Sequence, residues 1–334
     1  MRLYVRVLIA LLALLAAACG RADEDGSRLR IGYMARLTHA PALTGLDSGR
    51  FERALPDVQL ESRPFEVGNA VVEALFADEL DVAVLGPNPA INGFVRSHGE
   101  LRIVSGVSSG GSAFVVGAKS HIRAPSDLHG ASIGTPQIAS TQDVALRAYL
   151  RRHGLASTLA GGDVRVLPLG SAEIRQLLTR GEIDGAWISE PLVSELVEAG
   201  KARVLVDERD EWPDGRYPAA VLVVRKRYQE AQPENVRRFL RSLRGEIAWV
   251  EAHRPEALAL TRAGIGRRLG KSPPEAVLAE AARRVAFSPD PLLPALEKVA
   301  RDAEAEGFLP PGRSRSGLWL DVDAPGNPTE GVTP

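Results

Sequence analysis

Two stretches have residue types and spacing that could do covalent or phosphate chemistry. Gly106-Val107-Ser108-Ser109-Gly110 has the G-x-S-x-G spacing of a nucleophile elbow and follows a β-branched run. An elbow needs a strand, a sharp turn and then a helix, so that the serine rides on a helix start. Here Gly111-Ser112 leads straight into another apolar run at Ala113, which removes the scaffold for hydrolase chemistry. The segment from Gly266 to Ser272 ends in Gly270-Lys271-Ser272, like a phosphate-binding loop, but the first glycine of that motif would fall at Ile265. Pro273-Pro274 then obstructs the helix whose N–H groups would cradle a phosphate. A solvated basic turn is the simpler reading. The six histidines, at 39, 98, 121, 129, 153 and 253, show no metal-ligand spacing, so no metal is expected. No G-x-G-x-x-G follows the first β-rich run, and no nucleotide or other cofactor is expected.

Binding chemistry is better supported. In open α/β units, ligands sit beyond the carboxyl ends of strands, where helices begin. Five loops fit that description. Loop 35–41 carries Arg36, Thr38 and His39, and Gly86-Pro87-Asn88-Pro89 opens a helix directly after an apolar strand. Loop 108–112 offers the hydroxyls of Ser109 and Ser112 beside glycines that allow close backbone approach. Loop 135–143 contains Gln137, Ser140, Thr141 and Gln142, with Ser140 and Asp143 spaced as an S-x-x-D capping box. Capping alone would also explain that pair. The fifth loop is Trp187-Ile188-Ser189-Glu190-Pro191; Trp187 is equally suited to a core, and Glu190 to a helix cap.

These loops are spaced by alternating elements. β-rich runs at 29–33, 58–63, 81–85 and 101–105 alternate with amphipathic helices at 41–54, 68–77 and 87–96. A second series follows, with strands at 131–134, 163–167, 185–188 and 202–206 and helices at 141–152, 171–179 and 191–199. Such alternation predicts two serial, mainly parallel α/β units. Segments 113–117 and 220–224 are expected to lie side by side as the strands that cross between the units, with ordinary core strands of one large sheet as the alternative. Helices at 233–252, 255–263, 274–285 and 291–305 would then close the first unit. Beyond residue 310 the composition turns to Pro, Gly, Ser and Asp, as in a poorly ordered tail, with residues 318–320 docking locally.

The start of the chain reads as an export signal: Arg2 and Arg6, an apolar run from Val7 to Leu15, and Ala16 to Ala18 before Cys19. Cys19 is the chain's single cysteine and stands where bacterial lipoproteins carry the acylated thiol, although Ala16 occupies the place usually held by Leu. An ordinary secretory signal with an incidental cysteine is the alternative. Removing residues 1–18 takes away two arginines and shifts the formal charge from −1 to −3. That balance implies neither a nucleic-acid partner nor a polybasic membrane patch.

Over residues 29–308 the chain resembles the periplasmic binding proteins of the nitrate, sulfonate and taurine importers, a group that also includes binding proteins for thiamine-pyrimidine precursors. The resemblance rests on Ile31-Gly32-Tyr33 with His39-Ala40-Pro41-Ala42, on Ala74-Leu75 and Asp81-Val82-Ala83 before Gly86-Pro87-Asn88-Pro89, and on Ala124-Pro125-Ser126-Asp127-Leu128-His129-Gly130. Ser140-Thr141-Gln142-Asp143 and Asp184-Gly185-Ala186-Trp187 complete it. It implies an α/β, two-lobed type II periplasmic binding protein fold with two crossing hinge strands. It also implies the solute-binding role in an ABC importer: a small polar or anionic molecule is captured without chemical change and passed to a permease and its ATPase. The chain would act as a monomer, lipid-anchored through Cys19 at the cell surface or in the periplasm. Lobe one would take residues 29–115 and 219–310, lobe two 116–218, with a signal at 1–18, a tether at 19–28 and a tail at 311–334. The expected ligand contacts are Thr38, His39, Asn88, Ser109, Ser112, Gln137, Ser140, Thr141, Gln142, Trp187 and Glu190; by family position, Ser109, Ser112, Ser140 and Thr141 would face an oxyanion. Two alternatives stand. One is an enzyme on the same fold, of the thiamine or menaquinone precursor type, with His39 or Glu190 reactive. The other is a sensory module presenting its ligand to a membrane receptor.

Overall fold

The structure, a computed structural model, describes residues 26–324; the expected export signal, Cys19 and residues 325–334 lie outside that range. Two sheets organise the chain. The first contains β1 (Arg28–Met34), β2 (Gln59–Phe65), β3 (Val82–Leu85), β4 (Leu101–Gly110), β10 (Pro218–Arg225) and β11 (Val285–Phe287), in the order β11-β4-β10-β3-β1-β2. The second contains β5 (Ser112–Gly117), β6 (Ser132–Thr135), β7 (Arg165–Pro168), β8 (Gly185–Ser189) and β9 (Ala202–Asp207), in the order β7-β6-β8-β5-β9. Each sheet has a parallel set crossed by one antiparallel strand: in the first, β1 lies beside β2 and β3 and the returning β10 runs against β3 and β4; in the second, β6 lies beside β7 and β8 and the entering β5 runs against β8 and β9. Helices cover both faces, which is why β3, Val82-Ala83-Val84-Leu85, is buried along its whole length instead of alternating.

The helices of the first lobe are α1 (Ala40–Asp47), α2 (Arg50–Ala54), α3 (Gly68–Phe76) and α4 (Pro87–Arg96); those of the second are α5 (Thr141–Arg152), α6 (Ser171–Arg180) and α7 (Leu192–Glu198). After β10 come α8 (Lys226–Ala231), α9 (Pro233–Ala252), α10 (Arg254–Leu269), α11 (Glu275–Ala282) and α12 (Leu293–Ala305), which return to the first lobe. The helix expected over 41–54 is broken, because Gly49 takes a left-handed φ of 67° between α1 and α2. The helix expected to reach 285 stops at Ala282, and Val285–Phe287 instead pairs with the far end of β4.

β4 is longer than its apolar run suggests. Strand geometry continues through Gly106-Val107-Ser108-Ser109-Gly110, so Ser108 is a buried strand residue with no helix behind it, and the elbow reading has no physical basis. Segments 113–117 and 220–224 do not pair with each other. β5 lies in the second sheet, between β8 and β9, and β10 in the first, between β4 and β3, and each is buried centrally in its own sheet. The side-by-side crossings lie just beyond them. One is Gly110-Gly111, with φ of 79° and 83°, and the other runs from Asp207 to Pro218. They touch where the Gly110 N–H meets the Tyr217 carbonyl at 3.3 Å. A Cβ on Gly110 would lie 2.3 Å from the Arg284 carbonyl oxygen, so glycine is required here by space as well as by φ. Residues 318–320 dock as expected: Ile103 of β4 exchanges backbone hydrogen bonds with Leu318 and Leu320, at 2.8 and 2.9 Å.

The two lobes are in contact. Val144 of α5 is buried in the same apolar cluster as Val221, Leu296 and Val299 of the first lobe. Arg151 at the end of α5 pairs with Asp302 of α12 at 2.7 Å. On the other side, Arg284 pairs with Glu190 at 3.0 Å.

Candidate functional site

Between the lobes is a cavity whose water-accessible volume is about 40 Å³. At about 10–15 Å³ per water, that is room for about three or four waters, the size of a small polar head group. The first lobe contributes the loop after β1, the start of α3 at Gly68, and the junction of β3 with α4 at Gly86 and Pro89. The second contributes Ser112 at the start of β5, the loop from Pro136 to Gln142, and Ser189 at the end of β8. Three helices therefore begin at this cavity, α3, α4 and α5; α3 and α5 offer first-turn N–H groups without a partner inside the helix, while α4, opening Pro87-Asn88-Pro89, offers only that of Asn88.

Arg36 is the one charged side chain among the cavity's lining residues. It is half-buried, its guanidinium donates to the Glu66 carbonyl, and no carboxylate forms an ion pair with it among the described residues. Burial lowers its pKa, against the upward pull of Glu66, yet a group that starts near 12.5 stays a cation. His39 is almost fully buried and its Nδ1 accepts the Met34 N–H at 3.3 Å, which leaves the ring proton on Nε2. Burial, reinforced by Arg36, pushes the His39 pKa down to about 3, so the ring is neutral at ordinary pH. The cavity thus presents one fixed positive charge, three helix starts and several hydroxyl and amide groups. This is an anion's environment.

The loop before α5 is shaped by Asp143. Its carboxylate accepts from Thr135 Oγ1 and from the Ala139 N–H, both at 3.0 Å, and from Arg147 Nε at 3.1 Å. Ser140 Oγ accepts the Asp143 N–H at 3.2 Å, which is half of the expected capping box. The other half is redirected, because the Ser140 N–H goes to the Gln137 carbonyl and Asp143 takes Ala139 instead. Gln142 Nε2 donates to Ser112 Oγ at 3.2 Å, tying the two hydroxyl-bearing segments together. Thr141 Oγ1 is buried with no hydrogen-bond partner, an orphan polar atom at the cavity wall.

Seven of the eleven residues expected from the sequence meet here: Thr38, His39, Ser112, Gln137, Ser140, Thr141 and Gln142. Four do not line the cavity. Asn88 is buried beside it and donates across the cleft to the Ala139 carbonyl at 2.6 Å. Ser109 Oγ accepts the Tyr217 N–H at 3.2 Å, on the strand leading to the crossing. Trp187 is core, stacked on Phe114 with ring centroids 5.5 Å apart, its Nε1–H donated to Glu208 at 2.6 Å. Glu190 is held by the Ser194 hydroxyl at 2.9 Å and by Arg284, with burial raising its pKa. Arg36, Gly86 and Ser189, in the expected loops but not among the expected contacts, also line the cavity, as do Gly68 and Ala219 from outside those loops. For Arg36 the signal was available, as the one cation in a strand-to-helix loop that lacks an acid. Among the described residues, no group of three or more His, Cys, Asp or Glu side chains gathers as metal ligands.

The NMT1-like family pattern matches residues 22–263, well over half of the chain. The chain belongs to the NMT1-like family. This NMT1-like chain is 31% identical over 181 residues to the taurine-binding periplasmic protein of Escherichia coli, a match spanning about half of each, 54% of both. It is 28% identical over 264 residues to a putative aliphatic sulfonates-binding protein of Bacillus subtilis, covering 76% of each. Among solved structures, the alkanesulfonate-binding protein of Xanthomonas axonopodis pv. citri bound to MOPS superposes with a TM-score of 0.74 at 22% identity, covering 88% of this chain and 98% of that one. The periplasmic nitrate-binding protein of Synechocystis PCC 6803 superposes with a TM-score of 0.70 at 13% identity, covering 86% and 83%. The fold of this NMT1-like chain is accordingly the two-lobed periplasmic binding protein fold.

Proposed function

We propose that this NMT1-like protein is the extracytoplasmic solute-binding component of an ABC importer, and that its solute is a small anion of the sulfonate, taurine or nitrate type. The observation that carries this reading is Arg36: a cation without a carboxylate partner, in an interlobe cavity where three helices begin. The names of the relatives, taurine-binding and aliphatic sulfonates-binding, agree with that chemistry. The fit of a small oxyanion to about 40 Å³ agrees with it as well.

The mechanism is capture, not conversion. Solute that touches Arg36 and Thr38 on one lobe and Ser112, Ser140 and Thr141 on the other stabilises the closed arrangement over an open one, by as much as its contacts differ between the two. The closed form is then what the permease and its ATPase receive. Export through the segment at 1–18 and anchoring through Cys19 complete the proposal, and place the clamp outside the cytoplasmic membrane as a monomer.

Thermal unfolding in the presence of ethanesulfonate, taurine, nitrate and aromatic acids tests it. A ligand at a hundred times its Kd should stabilise the protein by about 2.7 kcal/mol. Recovery of that ligand unchanged is expected. If none of these anions raises the unfolding temperature, or if the bound one is chemically altered, the proposal fails.

A further inference from the structure

A second and smaller hollow, of about 20 Å³, lies between α5 and α12, with Thr141 shared between its wall and that of the anion cavity. About one water would fill it. The Glu208 carboxyl reaches its wall and is 1% exposed. Its Oε2 accepts the Trp187 Nε1–H at 2.6 Å, while its Oε1 is buried without any hydrogen-bond partner. A half-satisfied buried carboxylate is unfavourable when ionised and much less so when protonated.

The charged groups around Glu208 do not neutralise it. From α12, Lys298 faces the hollow, but its ammonium is bonded to Asp302 at 2.9 Å and sits 4.1 Å from the centre of the Trp212 ring. From α5, Arg152 is paired with Glu211. From the turn that carries Glu208 itself, Asp207 is bound by Arg209 at 2.7 Å, and from the crossing segment Tyr217 presents its hydroxyl to the Ser112 N–H at 2.9 Å. The cover over the hollow comes from the other lobe, through Lys298, Val299 and Asp302 of α12.

We infer that closure of the two lobes takes up a proton at Glu208, so that the clamp holds its solute more tightly in acid than in alkaline medium. This rests on the clamp reading above. Burial pushes the Glu208 carboxyl up to about 7, outweighing the downward pulls of the Trp187 hydrogen bond, the nearby Trp212 and Lys298. Moving α12 away would let water reach it and return it toward the ordinary glutamate value of about 4.3. Between those two values the closed form holds a proton that the open form has lost. Affinity is therefore full at the acid end, falls as pH rises, and levels off above about pH 7.

Calorimetric titration of the full chain with ethanesulfonate at pH 5.5 and pH 8 reads this directly, since the sulfonate stays ionised throughout and His39 titrates far below the window. About a thirtyfold weakening at pH 8 is expected for the wild type. Glu208→Gln keeps an acceptor for Trp187 but has no proton to exchange, and should bind equally at both pH values, at least as tightly as the wild type at pH 5.5. Small-angle scattering without solute should show the wild type more compact at pH 5.5 than at pH 8. Equal wild-type affinity at the two pH values, or a wild-type pH dependence retained in Glu208→Gln, would overturn the inference while leaving the clamp intact. If ethanesulfonate neither binds nor compacts the protein at either pH, the clamp reading falls and this inference with it.

Discussion

The side-chain amide of Asn88 lies 2.6 Å from the carbonyl oxygen of Ala139, and that single hydrogen bond joins the first turn of α4 on one lobe to the loop before α5 on the other. Both ends are constrained. Asn88 is fully buried, and Ala139 holds a left-handed φ of 57° that turns its carbonyl toward the cleft. On the proposed clamp reading, a bond between lobes exists only when the lobes are closed, so it would belong to the closed state's stability and not to that of either lobe alone.

Asn88→Ala should therefore weaken solute binding while leaving unfolding without solute nearly unchanged. The loss of one neutral hydrogen bond, about 0.5–1.5 kcal/mol, corresponds to roughly a 2–12-fold rise in Kd, carried mainly by faster release. Stopped-flow dissociation measures it. An unchanged release rate would mean that the Asn88 contact contributes nothing to closure.

Gly86 sits where a side chain would meet Thr141: a Cβ there would lie 2.7 Å from Thr141 Oγ1, across the cleft. The backbone of Gly86, at φ −66° and ψ 154°, suits alanine. Gly86→Ala should fold normally and yet resist closing, with solute affinity reduced by about tenfold or more, as for an overpacked contact of about 1–3 kcal/mol. Adding Thr141→Ala removes the clashing oxygen and should restore part of that loss. If the two substitutions were simply additive in calorimetry, the contact would not be what limits closure.

Arg36→Gln removes the cavity's fixed charge and should weaken an anionic solute by about 10–150-fold, the worth of a charge-assisted hydrogen bond at about 1.5–3 kcal/mol. No carboxylate lines the cavity to receive an ammonium group. Ethanesulfonate should consequently bind more tightly than taurine, which carries an amine. Competition between the two in one titration decides this, and a preference for taurine would place a carboxylate contact that the closed cavity does not provide.

Much of this was legible in the sequence because strand-to-helix loops announce themselves by apolar runs ending in Pro, Ser, Thr or Asn, and seven expected contacts converge on one cavity. What stayed hidden depends on partners far along the chain. Trp187 looked available at a strand end, but Phe114 and Tyr149 enclose it and Glu208 takes its N–H. Glu190 looked like a ligand contact, but Arg284, 94 residues later, claims it. The crossing strands were misplaced for a similar reason: apolar runs 113–117 and 220–224 show which segments are buried, but not which sheet each joins. That is decided by Gly110 and Gly111, whose positive φ redirects the chain.

His39 ties stability to pH with a definite sign. Its folded pKa, about 3, lies below the ordinary value of 6.5, because burial and the neighbouring Arg36 disfavour the charged ring. The folded protein therefore binds a proton at His39 less readily than the unfolded chain does. Its contribution to stability is intact above about pH 6.5 and is lost progressively as pH falls from there toward 3. Denaturant unfolding of the wild type between pH 7 and pH 4 should show that decline. In His39→Gln, whose amide oxygen can still accept the Met34 N–H, the decline should be shallower, because no imidazole is left to protonate in the unfolded state. An identical slope in wild type and variant would show that other groups govern the acid limb, and that His39 is not held neutral by its place beside Arg36.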